Sequence, residues 1–157
     1  MKLNLDAVPV SSKRMPSTSE LEHEIIVAAN IEDYFDKHGN HMLSHSLPEH
    51  LKMLLEQKGI SRADVVRNSL LNRTYVYQIF DGRRMPSRNK LIAIAFGMHL
   101  SVDETQAMLK LSGYRKLYAK DARDAILLFS LNQKMNVEET NDLLYEYGHA
   151  VLGVPEE

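Results

Sequence analysis

The sequence predicts an all-α protein, and three observations carry that prediction. Apolar residues recur at three- and four-residue spacings along most of the chain, which is the stripe of a helix that buries one face. Capping signatures of the form Ser/Asn-x-x-Glu/Asp open one segment after another. A closing helical hairpin returns 35 residues further on, so the C-terminal third reads as a duplication. Four parts follow: a flexible arm over residues 1–18, a helix and loop over 19–45, a helix-turn-helix body over 46–113, and a helical hairpin extension over 114–157.

With 157 residues, of which 44% are hydrophobic, the chain can bury a core, and one compact domain with a flexible end is expected. The absence of Cys removes disulfides and thiolate metal sites, which suits a reducing cytoplasm. The opening residues MKLNLDAVPV contain no signal-peptide-like stretch, and no membrane-spanning run is present. A soluble cytoplasmic protein is therefore expected.

The arm holds Pro9, Pro16 and Lys13-Arg14 without sustained periodicity. Ser19-x-x-Glu22 is a capping-box pattern, and Leu21, Ile25, Ile26, Ala29 and Phe35 give one helical stripe ending at Gly39. His38, His41, His45 and His50 follow, but a metal site needs convergent ligands, usually mixed with carboxylate or thiolate. Loop and capping histidines are the expectation, with no metal and no cofactor. A second helix runs from Ser46-x-x-Glu49 to Lys58, buries Leu51, Leu54 and Leu55, and stops at Gly59.

The informative stretch is Ser61–Ser87. Ser61-x-x-Asp64 opens a short helix over about Arg62–Asn68 with Val65 and Val66 inward. Ser69-Leu70-Leu71 turns the chain, and Asn72 caps a helix from Arg73 to about Phe80. On a helical wheel Val76, Ile79 and Phe80 share one side. Thr74 and Gln78 point away from them, flanked by Arg73 and Tyr77 on one edge and Tyr75 on the other. Gln can pair bidentately with adenine, Arg with guanine, and Thr or Tyr can touch a thymine methyl or a phosphate. Arg62 before this helix and Arg83, Arg84 and Arg88 after it are spaced for backbone phosphates.

The net charge of -2 conceals a segregation. Residues 48–90 carry nine Lys/Arg against four acids, whereas the flanking segments are both acidic. A polyanion-binding face on an acidic body has this distribution, since phosphates respond to local potential. Taken alone, the cluster is also compatible with chance on a solvated face.

These residues resemble the helix-turn-helix of the XRE family, the Cro-like and lambda-repressor-like DNA-binding domains. That family commonly reads Ser-Gln-x-x-Leu-Ala, a Gly-Val-Ser turn, a Ser/Thr-rich recognition helix with an inward Ile pair, then Gly-x-x-x-Pro-Ser. Ser61, Val65, Leu71, Val76, Ile79, Gly82, Pro86 and Ser87 match in place. The resemblance covers about Pro48–Gly113 and implies a lambda-repressor-like five-helix DNA-binding domain, here with an added N-terminal helix and a duplicated C-terminal hairpin. It implies Arg62 as a phosphate or base contact, and Arg73, Thr74, Tyr75, Tyr77 and Gln78 as the recognition set, on double-stranded DNA and as a homodimer. Val66 stands where the family has a small Ala, Leu70 where it has the turn Gly, and Phe80 where it usually has Glu. The last departure implies a surface covered by something extra.

Residues 87–99 form an apolar helix, and Ser101-x-x-Glu104 caps another that ends before Gly113. VDETQAMLKLSGYRKL at 102–117 then aligns with VEETNDLLYEYGHAVL at 137–152, and LIAIAF at 91 with ILLFSL at 126. Asp121 and Asn136-x-x-Glu139 are the predicted caps of the second copy. The second hairpin either stacks on the first within one domain or forms a dimer interface; the sequence leaves both open.

No Cys nucleophile, Gly-rich phosphate loop or Gly-x-Ser-x-Gly is present, nor a His-x-x-x-His with a general base of the zinc-protease kind, so catalysis is not expected. The rival to a DNA-binding transcriptional regulator is a protein-interaction module, an antitoxin or adaptor, with Tyr75, Tyr77 and Phe80 as its patch or with a partner held by the N- or C-terminal helices.

Overall fold

The computed structural model describes residues 17–38 and 46–153. All of its secondary structure is helical among the described residues: α1 Thr18–Val27, α2 Ile31–His38, α3 Leu47–Lys58, α4 Arg62–Ser69, α5 Arg73–Phe80, α6 Arg88–Gly97, α7 Val102–Leu111, α8 Ala122–Asn132 and α9 Val137–Glu146. None is long and apolar enough to cross a membrane. Two compact units are present, residues 1–44 and 45–157. The helix-turn-helix body and the second hairpin lie within the same unit.

In the first unit the expected single helix is two. Ser17, not Ser19, is the N-cap, closing its capping box with Glu20. Ala28 leaves the helical region at ψ 143, and the Asn30 side chain accepts from the Asp33 backbone N–H to start α2. A polar capping residue two positions after an extended one ends the stripe, which periodicity alone could not reveal. Lys37 pairs with Glu24 at 3.0 Å and ties the two helices together. The arm at 1–16, His41, His45 and the side chain of His38 lie outside the described residues.

The second unit is built around α6. Every residue from Lys90 to Gly97 is buried, which is why this helix shows almost no polar face. Against it lies α4, and Gly97 makes their approach possible: a Cβ there would come within 3.0 Å of the Val65 carbonyl oxygen. Leu70, in the position where the resembled family has Gly, takes the left-handed conformation at φ 63. That costs a non-glycine residue about 1–2 kcal/mol. A Cβ at Gly153, beyond α9, would lie 3.4 Å from the Ser69 carbonyl oxygen and 3.8 Å from Leu70 Cβ.

The 35-residue repeat is legible in detail. Ser101 and Asn136 close equivalent capping boxes on α7 and α9. Gly113 and Gly148 share φ values of 81 and 78, and His99 and Lys134 share 57 and 60. Gln106 clamps the backbone of Leu117 at 2.7 and 2.9 Å, and Asn141 clamps Leu152 at the same distances. Across the seam the contacts are reciprocal. Arg88 of the first hairpin reaches Asp124 of the second, while Arg123 of the second reaches Asn89 of the first. Since 88 corresponds to 123 and 89 to 124, position i meets j and j meets i, as a two-fold relation requires. The second hairpin thus pairs with the first within the chain.

Candidate nucleic-acid interface

Helix α5 separates its residues as the wheel predicts. Val76, Ile79 and Phe80 are all 0% exposed, which fastens the helix to the core. Arg73 and Thr74 are exposed, and Tyr75, Tyr77 and Gln78 are half-buried on the outer side. Asn72 is the N-cap, its Oδ1 accepting from the Tyr75 backbone N–H at 3.1 Å. Preceding it, α4 is fixed by the Ser61/Asp64 capping box. The Ser61 backbone N–H, its hydroxyl and Arg67 together hold the Asp64 carboxyl below the usual carboxylate range.

Around α5 the arginines are organised by the two tyrosines. The Arg62 guanidinium lies 4.3 Å from the Tyr77 ring centre and pairs with Asp81 at 3.2 Å. Arg73 approaches the same ring at 5.5 Å and donates to its hydroxyl at 3.2 Å. Arg84 lies 5.2 Å from the Tyr75 ring centre and Lys90 Nζ 4.8 Å from it. Arg84 Nε also donates to Gln78 Oε1 at 3.1 Å. Such stacking restricts the exposed Arg73 and Arg84 side chains beside α5 without removing their charge, whereas Arg62 is also paired with Asp81 and Lys90 is buried. A groove of about 820 Å³ runs beside the helix, lined by Thr74, Tyr75, Gln78, Arg84, Lys90 and Tyr114.

Nine of the ten sequence-predicted residues come together here: Arg62, Asn72, Arg73, Thr74, Tyr75, Tyr77, Gln78, Arg83 and Arg84. Arg88 does not. Its guanidinium donates to the carbonyls of Arg115 and Lys116 at 2.8 and 3.2 Å and grips Asp124, whose side chain is 2% exposed. Spacing placed Arg88 beyond the loop, but Ser87 caps α6 and turns the residue toward the hairpin seam, where a buried carboxylate needs a partner. Phe80, being fully buried, is also unavailable to a protein-binding patch.

Sequence reasoning missed Lys90 and Tyr114. Lys90 is a cation at the start of an otherwise apolar run in α6, where it is buried beside Tyr75. The Tyr114 hydroxyl donates to the Pro86 carbonyl at 2.5 Å and anchors the loop that holds Arg83 and Arg84. Among the described residues no group of His, Asp and Glu is arranged to hold a metal ion.

Compared with protein-family models, with curated proteins and with solved structures, the chain matches none.

Proposed function

We propose that this protein is a sequence-specific, double-stranded-DNA-binding transcriptional regulator of the XRE kind. In this reading α3 to α7 form a lambda-repressor-like reader and α5 enters the major groove. The supporting observation is the division of α5: three core residues hold it, while Thr74, Gln78 and Arg73 face outward, with Arg62 stacked on Tyr77, Arg84 on Tyr75, and Arg83 exposed in the loop that follows. Thr74 and Gln78 serve as base readers, with the arginines on flanking phosphates. Pairing of two copies on adjacent half-sites belongs to the same proposal. The hairpin seam is occupied within the chain, so that pairing uses another surface. A cytoplasmic location fits this role.

The test is binding to a pool of random duplexes at two ionic strengths. Three phosphate-directed arginines, Arg62, Arg83 and Arg84, give a log–log salt slope of about -2.7, a loss of roughly fortyfold in affinity between about 50 and about 200 mM salt. Salt-independent or absent binding removes the proposal. That result favours the protein-interaction reading, which the exposed Phe129, Tyr145 and Tyr147 of the second hairpin support at 53%, 80% and 64% exposure.

A further inference from the structure

A free Gln carboxamide offers one acceptor and two donors, which is why it matches adenine: its oxygen takes the N6 hydrogen while its nitrogen donates to N7. Gln78 is not free. Its Oε1 accepts from Arg84 Nε at 3.1 Å, and Arg84 is itself held against the Tyr75 ring. Lys90, 6% exposed, sits against that ring as well and keeps it in place. The amide orientation is thereby set, with Oε1 toward the guanidinium and Nε2 away from it. Among the described residues the Gln78 side chain makes no other hydrogen bond. The positive guanidinium beside Oε1 also repels a second approaching donor such as adenine N6.

We infer that Gln78 and Arg84 act as one donor-only reading unit that selects guanine, rather than the adenine a free Gln would favour. The Gln78 amide hydrogens and the terminal Arg84 nitrogens are all donors, and guanine alone presents two acceptors, O6 and N7, side by side in the major groove. This inference rests on the DNA-reading proposal. Within it, Arg84 is both a contact and the positioning residue for Gln78.

The experiment is selection from a randomised duplex library with the full chain and with Gln78→Ala, Arg84→Met and Arg83→Met. The base pair whose preference disappears in Gln78→Ala identifies the contacted position. There the unchanged protein selects guanine over adenine by roughly 10-fold or more. Arg84→Met releases the amide and moves the preference to adenine. Arg83→Met removes the same charge, weakens binding to all sequences, and leaves guanine preferred. Adenine selected by the unchanged protein overturns the inference, as does guanine retained in Arg84→Met. If no variant and no unchanged protein binds any duplex, the DNA-reading proposal itself fails, which is a separate result.

Discussion

Replacing Arg88 with Met separates its structural position from the phosphate contact that its spacing implied. The guanidinium makes two bonds to Asp124 at 3.1 and 3.4 Å and two to backbone carbonyls at 2.8 and 3.2 Å. Removing it leaves a carboxylate that is almost fully enclosed, and breaking a buried ion pair from one side costs about 3–5 kcal/mol. Two partners remain: the Tyr118 backbone N–H at 3.0 Å and Arg115 at 3.7 Å, the latter 60% exposed and so weakly coupled. The lower end, about 3 kcal/mol, is therefore expected. Urea unfolding monitored by circular dichroism should show the midpoint falling with the slope unchanged. Arg88→Met combined with Asp124→Leu should recover much of the loss, since no charge is then stranded. An unchanged midpoint accompanied by a flatter salt dependence of duplex binding would refute the reasoning and return Arg88 to the DNA face.

Other expectations follow from the same packing. Gly97→Ala places a Cβ 2.9 Å from Ser69 Cβ and 3.0 Å from backbone atoms of Ser69 and Val65, which cannot rotate away. Overpacking of about 1–3 kcal/mol exceeds the roughly 1 kcal/mol gain in helix propensity, so the unfolding midpoint should fall and α4 should shift with Arg62. Gln106→Ala and Asn141→Ala should each cost about 1–3 kcal/mol, because each leaves the backbone N–H of a buried leucine without its partner; equal denaturation shifts would check the repeat. Glu104 is raised by burial, but Lys58 at 2.9 Å and the Ser101 backbone N–H outweigh that and hold its carboxyl below the ordinary 4.5. Its contribution is present above that ordinary value and is lost as pH falls through the lowered folded one. Lys58→Met should accordingly shrink the stability lost in urea titrations as pH falls from above 4.5 through the lowered folded value.

Local signals carried much of the fold in the sequence. Capping residues fixed the starts of α3, α4, α5, α7, α8 and α9, because a side chain three residues from its backbone partner needs no tertiary information. The break at Ala28 was invisible, since apolar periodicity continues through it. Arg88 shows the limit for the site: spacing says how far a residue lies from the reading helix, whereas its direction is decided by Asp124, distant in sequence and brought near by the hairpin seam. Phe80, expected to be covered, is fully buried in the core of the second unit, and its sequence position alone did not say by what. The coupling of Gln78 to Arg84 was not legible, for it depends on how Gly82 at φ 79 folds the loop back along α5.

The most direct test of the account is to follow backbone amide resonances of the whole chain as a selected duplex is added. The largest shifts are expected from Arg62 through Arg84, centred on Thr74 and Gln78. The exposed side of α9, with Glu138, Asp142 and Glu146, should stay unchanged, since its charge repels phosphate. Shifts concentrated on α8 and α9 with α5 silent would contradict it.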